Sequence, residues 1–81
     1  MPTAHTATHV ETKHYLASGE VTHTVYTSYG SGCWCMVYYH PDGVQVYWYE
    51  GATQVNRPAG APDPEPVARA ALATLGIEVQ A

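Results

Sequence analysis

Three histidines, His14, His23 and His40, carry side chains suited to metal or proton chemistry. On neighbouring antiparallel strands, imidazoles whose Cβ atoms lie about 5 Å apart can share a divalent metal such as zinc. A second pair of chemically able residues flanks Trp34: Cys33 and Cys35. Residues two apart on a strand point to one side at about 6.5–7 Å, at or beyond the span of a comfortable disulfide, although two thiolates at that spacing can clasp a soft metal. Neither pattern is specific, because the chain contains no HExxH and no paired CxxC. The plainer reading makes the histidines semi-buried groups bonded to Tyr38 or to backbone near a sheet rim, and the cysteines small apolar side chains at a strand start. General acid–base work needs a partner acid or nucleophile in a cleft, and no Asp or Glu falls in the histidine row. The glycine-bearing stretch Tyr29–Cys33 joins two strands and opens no helix, so it lacks the setting of a phosphate loop.

The elements that must position these residues are strands. Four runs, 9–17, 20–29, 33–40 and 44–50, alternate apolar and polar with period two and are rich in Val, Thr, Tyr and Trp. Between them lie Ser18-Gly19, Gly30-Ser31 and Pro41-Asp42-Gly43, three turn signals short enough to join antiparallel neighbours. Two-residue turns at the first two sites and a three-residue turn at the third gather the apolar side chains on one face. That register sets His14 opposite His23, with Tyr38 next in the row and His40 diagonal. It assigns Val10, Leu16, Val21, Val25, Trp34, Met36, Tyr38, Val44, Val46 and Trp48 to the buried face. Tyr15, Tyr26, Cys33, Cys35, Val37, Tyr39, Tyr47 and Tyr49 fall on the other.

After Glu50, the link Gly51–Pro66 is dense in proline and reads as a loop. Asp63 is the expected N-cap, Pro64 the first helical residue and Gly76 the stop, for a helix over 64–75. Its stripe of Val67, Ala71 and Leu75, with Ala68 and Leu72 beside it, is narrow enough to lie close on the sheet. The expectation is an α+β domain: a four-stranded antiparallel meander with one C-terminal helix on one face, and room for a short fifth edge strand in the tail at 77–80. Residues 1–8 are read as a loose arm and 9–81 as the single domain.

Composition narrows the function classes. With 81 residues the chain forms one domain of modest core. Two cysteines are too few for a disulfide scaffold, the start lacks a basic and then apolar leader, and no apolar run approaches the roughly 18 residues of a membrane span. A cytoplasmic location with reduced thiols is expected. Only Lys13, Arg57 and Arg69 are basic against seven acids, a net charge of −4. Nucleic-acid affinity rests on Lys and Arg, so that partner class is disfavoured even though tyrosines can stack bases. A small domain poor in charge and rich in Tyr is instead expected to bind protein, another chain or its own copy. The expected contact surface is Tyr15, Tyr26, Cys35, Val37, Tyr39, Tyr47 and Tyr49. No enzyme activity and no cofactor are expected; a divalent metal on His14, His23 and His40 is the alternative.

Overall fold

The computed structural model describes residues 4–79. Five antiparallel strands form one sheet in chain order: β1 (Thr6–Tyr15), β2 (Glu20–Ser28), β3 (Cys33–His40), β4 (Gly43–Glu50) and β5 (Thr53–Val55). One helix, α1 (Glu65–Thr74), follows and packs on the β1–β2 side of one sheet face. No described helix is long and apolar enough to cross a membrane.

Strand pairing fixes which side chains share a face. On the helix side, Val10, Val25, Val37 and Val46 line up as a single row across β1 to β4. β-Branched side chains directly opposite one another pack well on a pleated surface. Ala68 and Leu72, both fully buried, close over Val25, Val37 and Tyr39 to make the core. The small-residue helix face allows that close approach, although its centre runs through Ala68 and Leu72, and Leu75 is left 59% exposed. The helix begins one residue later than expected, at Glu65 with Pro64 in the N-cap position, and the Asp63 carboxylate accepts the Glu65 amide hydrogen at 3.0 Å. It ends in a Schellman closure, with Gly76 at φ 77° and the Ile77 and Gly76 amides donating to the Leu72 and Ala73 carbonyls.

The register between strands departs from expectation at three turns. β1 and β2 are joined by four residues, Leu16–Gly19, so Thr12 sits opposite His23 and His14 opposite Val21. That shift of two keeps each side chain on its expected face. Beyond Ser28 the Tyr29 amide still donates to the Cys33 carbonyl, so β2 and β3 turn through three residues, Gly30–Gly32, and β3 and β4 are joined by two, Pro41-Asp42. Gly32 adopts φ 74°, the left-handed conformation that a three-residue hairpin loop needs and a side chain resists. Each of the last two turns differs by one residue, in opposite senses. Their effects cancel for β4 and invert β3 alone. Cys33, Cys35, Val37 and Tyr39 therefore point to the helix side, and Trp34, Met36, Tyr38 and His40 point away.

The ends also differ. β1 begins at Thr6 and bulges between Ala7 and His9, so residues 6–8 belong to the sheet, and His5 is buried, so neither it nor they form a loose arm. Residues 1–3 of that arm lie outside the described region. The fifth strand comes from the expected loop, Thr53–Val55 beside β4, and not from the tail. Ile77 and Val79 pack against the core instead, with the Val79 carbonyl accepting from Arg69 Nη1 at 3.1 Å.

Candidate interaction face

The sheet face away from the helix is aromatic across its width. One row runs His9, Tyr26, Met36, Tyr47; the next runs Ser28, Trp34, Tyr49, Gln54; a third runs Glu11, Thr24, Tyr38, Gln45. Trp34 and Tyr49, directly opposite on β3 and β4, stack with centroids 4.2 Å apart and planes 8° from parallel. Tyr26 lies beside Trp34 at 6.1 Å and 30°, and His9 beside Tyr26 at 5.5 Å. The indole is further fixed by Nε1 donating to the Gly51 carbonyl at 2.7 Å. Such aromatic pairs contribute about 0.5–1.5 kcal/mol each beyond area burial. The rings hold one another, so little side-chain freedom remains to be lost when something docks on them.

The same stacking decides what the face offers. Parallel rings on neighbouring strands stand side by side, so their π faces are turned to each other and the outer surface presents ring edges and phenol groups. Among the described residues Lys13 is the only Lys or Arg there, and Glu11 lies 3.7 Å from it. A base-stacking platform needs free ring faces and a basic groove, and this surface presents a neutral, flat, edge-on aromatic layer instead.

Of the residues expected at a contact surface, Tyr15, Tyr26, Tyr47 and Tyr49 lie on this open face. Cys35, Val37 and Tyr39 do not: they are 0%, 0% and 3% exposed beneath α1 and its flanking loop, because β3 is inverted. Their places are taken by Trp34, Met36 and Tyr38, expected as core. The signal that identifies them is the length of the Gly-Ser-Gly turn.

The histidines separate. His14 and His23 share the helix side but are not opposite each other, and His23 Nδ1 lies 2.9 Å from Thr12 Oγ1. His40 is on the open side, its ring 5.1 Å from that of Tyr38. Among the described residues no three His, Cys, Asp or Glu side chains gather as metal ligands would. The alternative metal trio of His14, His23 and His40 does not converge, for the same reason of register.

A different histidine has the denser environment. His5 Nε2 donates to the Pro62 carbonyl at 2.8 Å, which leaves Nδ1 to accept from the buried Thr27 hydroxyl at 2.9 Å. Its ring packs on Tyr29 at 4.6 Å and Trp48 at 5.8 Å. Burial holds the His5 pKa below its ordinary 6.5, against the opposing pull of the Pro62 carbonyl and Asp63. Burial raises the pKa of the neighbouring Cys35 thiol to about 11. Thr27, His5 and Pro62 thus form a chain of neutral hydrogen bonds. A thiol this protonated and this sealed is no nucleophile. The chain ties the N-terminus to the proline-rich link, where Arg57 adds a bond to Ala61 and sits 5.3 Å over Trp48.

Comparison with protein-family models, with curated protein sequences and with solved structures returned no match. Function is therefore read from this chain's own geometry.

Proposed function

We propose that this chain is a non-enzymatic protein-binding module, an inhibitor, adaptor or accessory subunit, whose protein partner docks on the open aromatic face of the sheet. The observation that carries the reading is the aromatic layer on the face opposite the helix, with Trp34 stacked on Tyr49 and Tyr26 tilted beside it. Interface centres are enriched in Tyr, Trp and Met and depleted in charge, and this face has that make-up. The partner it fits is a flat, mostly uncharged protein surface able to accept hydrogen bonds from phenol groups. The absence of a basic groove argues against single-stranded nucleic acid. The sealed, neutral state of Cys35 and His5 argues against chemistry at the densest polar cluster.

The test is a photo-cross-linking residue placed at Tyr47 on the open face, compared with the same residue at Ala70 on the exposed side of the helix. A defined protein joined at position 47 and not at 70, and displaced by unlabelled chain, is the expected result. Equal labelling from both positions would overturn the assignment. Tight binding of a single-stranded oligonucleotide at low salt, lost on Tyr47→Ala, would replace the protein partner with a nucleic acid.

A further inference from the structure

Among the described residues three large apolar side chains are exposed: Leu16 at 96%, Leu75 at 59% and Tyr15 at 44%. All three lie on or beside one edge of the sheet. β1 is that edge: ten residues long, paired only with β2, whereas the opposite edge, β5, has three residues. An edge of this length presents unpaired backbone donors and acceptors and is normally guarded by charges that repel another strand. β1 carries no such run. Its two charged residues, Glu11 and Lys13, have opposite sign and lie two apart on the same face.

We propose that β1 pairs antiparallel with β1 of a second copy about a two-fold axis at Thr12. One operation then accounts for each feature. Glu11 of each copy falls opposite Lys13 of the other, His9 opposite Tyr15, and Val10 opposite His14. The hairpin tip brings Leu16 level with Thr8 of the other copy. There a hollow of about 440 Å³ is lined by Ala7, Val10, Ala71, Thr74 and Leu75. The two most exposed leucines thereby meet across the interface. Within one chain the Glu11–Lys13 contact, at 3.7 Å and largely solvated, contributes little and is given up readily. Because the contact is isologous it closes on a dimer and does not propagate into a fibre.

The product is a continuous ten-stranded sheet with both helices on one side and both aromatic faces on the other. Dimerisation by this edge stands independently of what docks on the aromatic face, and it doubles the surface that a partner meets.

Sedimentation equilibrium at low ionic strength tests the pairing. Wild-type chain is expected to be a dimer. Lys13→Glu sets like charges opposite each other twice in place of opposite ones and weakens the dimer roughly tenfold. The exchange Glu11→Lys with Lys13→Glu restores the wild-type constant. Leu16→Asp weakens the dimer with no change in the helix–sheet core. Amide exchange provides a second readout: alternate β1 amides between Val10 and His14 gain protection as protein concentration rises.

A chain that stays monomeric at every attainable concentration overturns the proposal. So does a dimer indifferent to Lys13→Glu and Leu16→Asp but dissociated by Tyr47→Ala, which would move the second copy to the aromatic face. Loss of partner cross-linking in Tyr47→Ala with the dimer intact concerns the docking face alone.

Discussion

Replacing His5 by alanine removes the acceptor of the Thr27 hydroxyl and the donor to the Pro62 carbonyl. Thr27 is fully buried, so its hydroxyl loses its histidine acceptor where water does not reach. Leaving a buried polar group unpaired costs about 1–3 kcal/mol. The contacts with Tyr29 and Trp48 are lost as well, at about 0.5–1.5 kcal/mol for an aromatic pair. The expected destabilisation is about 2–4 kcal/mol, against a total of about 4–12 kcal/mol for a chain of this size. Melting temperature falls by at least about 8 °C, taking about 4–8 °C per kcal/mol. The sign of the pH dependence follows from the lowered pKa. Below pH 6.5 the unfolded chain takes up a proton at His5 that the folded chain, with its imidazole buried and neutral, refuses. Wild-type stability at this site is full above pH 6.5 and declines as pH falls toward the lower folded value, by at most about 1.4 kcal/mol per unit. His5→Ala lacks that component, so urea titrations at a series of pH values from neutral to mildly acidic should show the wild-type advantage shrinking. A gap that stays constant or widens in acid would refute the neutral hydrogen-bonded chain.

Leu72→Ala empties the centre of the core between Val25, Val37 and Tyr39 and should cost about 2–5 kcal/mol, read from the urea midpoint. Thiol labelling should divide the cysteines: Cys33, partly exposed, reacts with a maleimide in the native state, and Cys35 reacts at the rate of unfolding. Matching rates for the two would contradict the placement of Cys35 under the proline-rich link.

Much of this architecture is legible in the sequence, and the gaps have physical causes. Alternation finds β1 to β4, and Asp63 and Gly76 bracket the helix because capping chemistry is local. Face assignment is not local: it depends on counting turn residues, and one residue inverts a strand. Apolar sum alone favours Trp34, Met36 and Tyr38 inward. The alignment of Val10, Val25, Val37 and Val46 into one row favours the register observed, and Gly-Ser-Gly supplies the three-residue loop it needs. Tyr15 and Tyr26 keep their expected face because the first turn shifts the register by two, and Tyr47 and Tyr49 because the differences at the next two turns cancel for β4. β5 is three residues with no alternation to detect. His5 sits in a polar stretch, and its partner Pro62 is 57 residues away, beyond any periodic signal.

The account stands most directly on the affinity of the cross-linked partner for chains altered on the open face. Trp34→Ala and Tyr47→Ala should each raise its Kd about tenfold or more, as truncation of a central aromatic does; the urea midpoint of Tyr47→Ala stays within the range of surface substitutions, Trp34→Ala lowers it through the lost pairs with Tyr26 and Tyr49, and Ala70→Ser changes neither. An unchanged Kd in both, with the fold intact, would contradict docking on this face.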